Sequence, residues 1–494
     1  MKIAAILSYI NIAINIAIGL FLTPYIIRML GDEEYGLYTL IGAFVGYLSV
    51  LDLGLNNAIV RYVAQYRAQK DRQGEENFLA ISLIIYCGIA VILIFMGGVF
   101  YLNIESLFGE TLLTSQLEKA KTMMIILIIN IGFTLPGGAF TGICTGYKAF
   151  VFPRWISIIK YLVRAIMIVW ILKNGSDALG IVLLDSILNI TFICFTIWYV
   201  FQRLKIRIAL NKFDWKFIRE IFGYSLWIFI FGLVYEIQWR TGQVIIGTHM
   251  STVAVAIFGI GVLLGIYYTT FGNIINRLLL PTAVDHIFQE KEPVELTNYM
   301  IQFGRISLML LLFIFLGFLI LGREFIILWI GENYIDSYYI AATIMFIYIL
   351  PIAQGYAHSL LEAKKLLRFK TISFLIATII GLSLGGILSY YYGVLGMITG
   401  IAIPMFLLQW VVMNFFYYKR LNLNILLFFK NTFGIWFVSG IVMFFALMWF
   451  EHRNISWVSF IIKCAIYSIL FIVGMLIIMN SSEKSMLKKI FIRK

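Results

Sequence analysis

Fourteen apolar stretches, each long enough to cross a bilayer, leave this chain one kind of environment to fold in. They run near 3–29, 37–64, 77–102, 121–146, 155–172, 179–201, 220–248, 252–280, 297–321, 338–361, 371–390, 394–417, 431–450 and 457–479. A water-soluble core has no use for that much apolar surface, since 62% of the 494 residues are hydrophobic and 13% charged. The first stretch is too long for a signal peptide and lacks a cleavage pattern, so it counts as a span. The chain reads as an all-α polytopic membrane protein of about 14 transmembrane helices.

The net charge of +13 does not indicate nucleic acid, because the cations sit in short loops between spans. Of the 38 Lys and Arg, 26 fall in loops or at span ends on one side, 6 in loops or at span ends on the other and 6 deeper within spans. The bias places both termini in the cytoplasm. Cys87, Cys144, Cys194 and Cys464 are isolated in apolar runs and read as small buried hydrophobes. The four histidines are scattered without metal-ligand spacing, so neither a metal nor a cofactor is expected.

Three pairs of matches recur in order. Leu107-Phe108-Gly109-Glu110 returns as Trp329-Ile330-Gly331-Glu332, 222 residues on. Lys148 and Ser157 return as Lys364 and Ser373, and Leu179-Gly180 as Leu395-Gly396, both 216 on. The steady offset argues for duplication of a six-helix unit, with the copies in parallel orientation. The expected organisation is an N-lobe over 1–201, a basic amphipathic cytoplasmic linker over 202–219 and a C-lobe over 220–417. Two appended helices at 431–479 and a basic tail at 480–494 follow. Asp214 is a plausible cap for the helix leaving the linker.

The stretch LGDEEYGLYTLIGAFVGYLSVLDLGLNNAIVRYVA, the FDWKFIREIFGYS entry to the second lobe and the two halves together resemble the polysaccharide-transporter family. Its members include Wzx-type O-antigen and capsule flippases, and its superfamily also holds multidrug-toxin extruders and the lipid II flippase. The resemblance covers essentially the whole chain. It implies a flippase that moves undecaprenyl-pyrophosphate-linked oligosaccharide repeat units from the cytoplasmic to the outer leaflet of the bacterial inner membrane. Alternating access of two lobes around a polar, often cationic, cavity is implied with it. The implied partners are the lipid-linked oligosaccharide, membrane lipids and other polysaccharide assembly proteins. An ion-coupled multidrug or metabolite extruder of the same superfamily is the alternative. An enzyme is not expected, because the outer loops near 103–120 and 322–337 are short and hold no nucleophile–base set.

A pyrophosphate bearing sugars needs cations and hydrogen-bond partners inside the bilayer, since burying an ion in hydrocarbon costs on the order of tens of kcal/mol. Asn11 and Asn15 in the first span and Asn56 in the second lie on polar stripes that serve either helix packing or a cavity. Arg164 and Arg305 lie deep enough to strain snorkelling. Lys160 and Arg164, one turn apart, call for an anion, either Asp185 or a phosphate. Lys160 and Arg277 lie near cytoplasmic ends, where snorkelling is the simpler reading. Glu236 and Arg240, four apart, either neutralise each other or release Arg240 to a ligand. Substrate binding is therefore expected of Arg240, Arg305, Arg164, Asn11, Asn15, Asn56 and Arg277. Asp52, Glu236 and Asp185 are candidates for ion coupling to a proton or sodium gradient. Asp185 and Lys463 also read as outer-end anchors.

Overall fold

The structure is a computed structural model that describes residues 2–49, 55–212, 215–276, 279–450, 455–481 and 483–484. Most of the described residues are helical, with no strand among them. They divide into two compact units, 1–256 and 257–494. The first holds α1 (Lys2–Leu30), α2 (Asp32–Ser49), α3 (Leu55–Gln69), α4 (Arg72–Phe108), α5 (Thr114–Gly146), α6 (Val151–Lys173), α7 (Ala178–Gln202) and α8 (Trp215–His249). The second unit begins within α9 (Thr252–Asn276) and continues through α10 (Leu279–Phe288), α11 (Pro293–Trp329), α12 (Asp336–Ala353), α13 (Gly355–Ala363) and α14 (Leu367–Phe406). It ends with α15 (Met413–Leu421), α16 (Ile425–Trp449) and α17 (Trp457–Ile478).

Eleven helical segments of the described chain are long and apolar enough to span a membrane. Their outer faces carry large apolar side chains, such as Phe21, Leu102, Ile166, Leu426 and Ile477, each more than two-thirds exposed. Water would penalise such a surface and lipid does not, so this is a multi-pass membrane protein. The expected spans at 371–390 and 394–417 form one continuous segment, Leu367–Leu421, which reverses at Gly393 (φ 60°, ψ −144°). Its two arms pack back to back. A Cβ on Gly400 would lie 2.2 Å from the Gly385 amide nitrogen, so only glycine permits this approach. The expected span 338–361 is broken at Gln354 into α12 and α13, just after Pro351. The expected span 37–64 appears as α2 and α3, and residues 50–54 between them, Asp52 included, lie outside the described residues. Arg277 and Asp214 also lie outside them.

Local chemistry sets several helix ends. Gly31 takes φ +81°, and α2 opens with Asp32, Glu33 and Glu34, where the helix dipole favours anions. Asp71 caps α4 by accepting from the Gly74 amide at 2.8 Å. Asp177 caps α7 through Gly180 and also meets Lys119 at 2.8 Å. Burial pushes the Asp177 carboxyl up, but the Lys119 ammonium and the Gly180 amide outweigh it and hold it below the ordinary carboxylate range.

In the first unit α5 packs against α2, α3, α4 and α7. Small residues on α5 make room for these neighbours: a Cβ on Gly137 would meet Ile193 of α7 at 2.8 Å. Helices α4 and α11 are both 37 residues long. The Gly109 and Gly331 of the matching motifs both follow the ends of those helices.

The linker after α7 is amphipathic with a period of two. Leu204, Ile206 and Ile208 turn inward onto a cluster formed by α3, α4, α5 and α7, while Arg203, Lys205 and Arg207 point out. Asn77 of α4 clamps this strap: its amide oxygen accepts from the backbone of Asn211 and Lys212, and its amide nitrogen donates to the Lys212 carbonyl.

Candidate functional site

Several polar groups of the first unit gather on α2, α5, α6 and α7. Arg164 of α6 grips Asp185 of α7 with two bonds, from Nε at 2.6 Å and Nη2 at 2.9 Å. Its Nη2 also donates to the Tyr38 hydroxyl of α2 at 3.3 Å. A guanidinium presents a planar fork of donors, so one Arg can tie three helices at once. One turn earlier, Lys160 donates to Asn189 Oδ1 at 2.7 Å. Asn189 then donates to Asn130 Oδ1 at 2.8 Å and to the Thr134 hydroxyl at 2.7 Å, both on α5. The network joins α2, α5, α6 and α7, with Arg164 and Asp185 respectively 28% and 27% exposed at the side chain. Two cations therefore face one carboxylate, beside amides and hydroxyls suited to neutral polar ligands. Lys160, expected to reach for the interface, turns instead to Asn189.

The pair on α8 forms as its spacing implies. Arg240 Nε lies 3.3 Å from Glu236 Oε2, and the side chains are 35% and 36% exposed. That distance leaves a loose contact, and part of the guanidinium fork is open.

Arg305 has a different setting. It is 8% exposed, and Nε and Nη2 bind the Glu483 carboxylate at 2.6 and 3.1 Å. Nη1 donates to the Asn431 carbonyl at 2.5 Å and Nη2 to the Ile478 carbonyl at 3.0 Å. Glu483 also accepts from the Asn480 amide at 2.8 Å. All three guanidinium nitrogens of Arg305 thus bind α16, α17 or the turn after α17. A second buried pair, Lys463 with Glu324 at 2.7 Å, joins α17 to α11.

Asn56 lies against α5, where a Cβ on Gly142 would come 2.5 Å from its Oδ1. Asn11 is half-buried and Asn15 exposed on α1. Arg277 and Asp52 lie outside the described residues. The structure thus joins Arg164 to Asp185 and Arg240 to Glu236, and takes Arg305 to a third place. Sequence reading missed Tyr38, Asn130, Asn189, Thr134, Glu324 and Glu483. For Asn130 and Asn189 a signal was present, namely a lone amide deep in an apolar span.

The family described as "Polysaccharide biosynthesis protein" matches residues 2–284. A curated relative, a putative O-antigen transporter of Shigella flexneri, is 23% identical over 323 residues, 63% of this chain and 72% of that one. The curated relatives are matched over 18% to 72% of their own lengths. A solved lipid II flippase, MurJ in an inward closed conformation, aligns over all of both chains with a TM-score of 0.69 at 15% identity. An inward-facing multidrug resistance MATE transporter of the MOP superfamily aligns over 83% of this chain and 96% of its own, with a TM-score of 0.65 at 14% identity. These two likenesses establish the fold. With the family match covering more than half of the sequence, the chain belongs to the polysaccharide biosynthesis protein family.

Proposed function

We propose that this protein moves a lipid-linked oligosaccharide, carried on undecaprenyl pyrophosphate, from the cytoplasmic to the outer leaflet of the bacterial inner membrane. The observation that carries this reading is the Arg164 network. Lys160 and Arg164 outnumber Asp185, so the site has a surplus positive charge. Asn130, Thr134 and Asn189 place amide and hydroxyl groups beside it. A diphosphate with sugar hydroxyls matches both features, whereas a cationic drug would call for surplus acid. Relatives named as putative O-antigen transporters support the same substrate class.

In this proposal the pyrophosphate competes with Asp185 for Arg164, and with Glu236 for the open edge of Arg240. Affinity then differs between lobe arrangements, which alternating access of the two lobes requires. The displaced Asp185 or Glu236 is available to take a coupling proton or sodium ion. Both termini lie in the cytoplasm, on the side that the loop cations select.

Deletion of the gene should make the lipid-linked saccharide accumulate in the cytoplasmic leaflet, read by extraction and by its protection from an external glycosidase. Complementation with wild type should clear it. The double variant E236Q/R240Q should reach the membrane in normal amount and leave it accumulated. Clearance by that variant would reduce the α8 pair to a structural role, and an absence of accumulation in the deletion strain would remove the proposed substrate.

A further inference from the structure

A second polar site lies in the first unit, away from the Arg164 network. A cavity of about 410 Å³ opens where the end of α3, the start of α4, the end of α5 and the linker strap meet. That volume falls in the range of small-molecule sites, roughly 300–1,000 Å³. Arg67, Lys70, Arg72, Lys205 and Arg207 line it, against two carboxylates, Glu75 and Glu76. Glu76 is already paired with Arg72 at 3.3 Å. Arg67 stacks on the Tyr147 ring with its Cζ 4.0 Å from the centroid, which fixes the plane of the guanidinium and leaves its N–H edge for a ligand. Lys70 and Lys205 both hold left-handed backbone, φ 58° and 54°, a conformation non-glycine residues seldom adopt.

One lining group asks for a donor and not for an anion. Glu75 is 6% exposed, and its Oε1 has no hydrogen-bond partner among the described residues. A buried polar atom left in this state is costly and calls for a partner. The Tyr147 hydroxyl lies beside the same carboxyl group. Cations at the mouth and a buried acceptor behind them describe a ligand with phosphate at one part and hydroxyls at another.

We infer that this pocket binds an organic phosphate bearing hydroxyl groups at the membrane surface, with Arg67 and Arg207 on the phosphate and Glu75 on a hydroxyl. Two sources share that chemistry: the head group of phosphatidylglycerol, and the sugar-diphosphate end of a lipid-linked saccharide. The second source rests on the function proposed above, and the first does not.

Calorimetric titration of the purified full-length protein with soluble probes tests the inference. Short-chain phosphatidylglycerol and UDP-N-acetylglucosamine represent the two sources, inorganic pyrophosphate the phosphate alone, and short-chain phosphatidylcholine the control. Saturable binding of one of the first two is expected, and the tighter of them identifies the source. R67A/R207A, two changes at exposed positions, should weaken binding at least tenfold. E75Q should weaken the hydroxyl-bearing probe several-fold relative to pyrophosphate, whose binding it should not weaken. No saturable binding of either probe, binding no tighter than phosphatidylcholine, or wild-type affinity in R67A/R207A would overturn the pocket assignment. The titration reads binding in the absence of transport, so its failure leaves the leaflet experiment untouched.

Discussion

Export through R164Q/D185N is expected to fall roughly ten- to a hundredfold at limiting substrate while the protein remains folded in the membrane. Arg164 and Asp185 are bound at 2.6 and 2.9 Å, so removing one partner alone leaves a half-buried charge uncompensated. Single variants therefore mix lost function with lost folding. Changing both to amides removes the charges together and keeps hydrogen-bonding groups in place. A charge-assisted contact to phosphate contributes about 1.5–3 kcal/mol, and each 1.4 kcal/mol is about tenfold in affinity. The two-bond fork itself is tested by R164K, which keeps the charge but not the planar geometry, and should export at an intermediate rate. Complementation of the deletion strain, normalised to membrane-inserted protein, gives the measurement. Wild-type export by R164Q/D185N would make the pair a structural tie between α6 and α7.

The second large effect belongs to Arg305. E483A should destabilise the detergent-purified protein by about 3–5 kcal/mol, the usual cost of leaving one member of a buried ion pair alone. Glu483 is 4% exposed and supplies two of the contacts to the guanidinium. The remaining contacts come from the Asn431 and Ile478 carbonyls, and they lack the charge that offsets the desolvation of Arg305. Replacing both partners by leucine should recover most of the loss, because no lone charge then remains. Thermal unfolding followed by aggregation provides the readout. An unchanged midpoint for E483A would refute the clamp that holds α16 and α17 at this end of α11.

What was legible in the sequence was local or periodic. The Glu236–Arg240 pair follows from a spacing of four on one helix. The need for an anion follows from the like charges of Lys160 and Arg164 one turn apart, and Asp185, one of the two partners foreseen, fills it. The alternation Arg203-Leu204-Lys205-Ile206-Arg207-Ile208 carries the period of an extended strap, which explains why the linker packs inward by alternate residues instead of lying as a surface helix. What stayed hidden depends on tertiary proximity. Lys160 and Asn189 are 29 residues apart, and Arg305 and Glu483 are 178 apart. No periodicity links such positions, and Arg305 read as a substrate group. The reversal at Gly393 falls in the gap between the expected spans 371–390 and 394–417; what hydropathy did not show is that one glycine makes it with almost no loop.

Reconstitution tests the central claim most directly. The saccharide lipid that accumulates in the deletion strain is extracted and incorporated into sealed vesicles with or without the purified protein. A membrane-impermeant glycosidase added outside cuts only glycans on the outer leaflet. In protein-free vesicles, digestion should stop at the fraction initially exposed. With wild-type protein it should run close to completion as inner-leaflet molecules cross, and with R164Q/D185N it should pass the protein-free level roughly ten- to a hundredfold more slowly. Digestion that halts at the same fraction with and without wild-type protein would contradict the account.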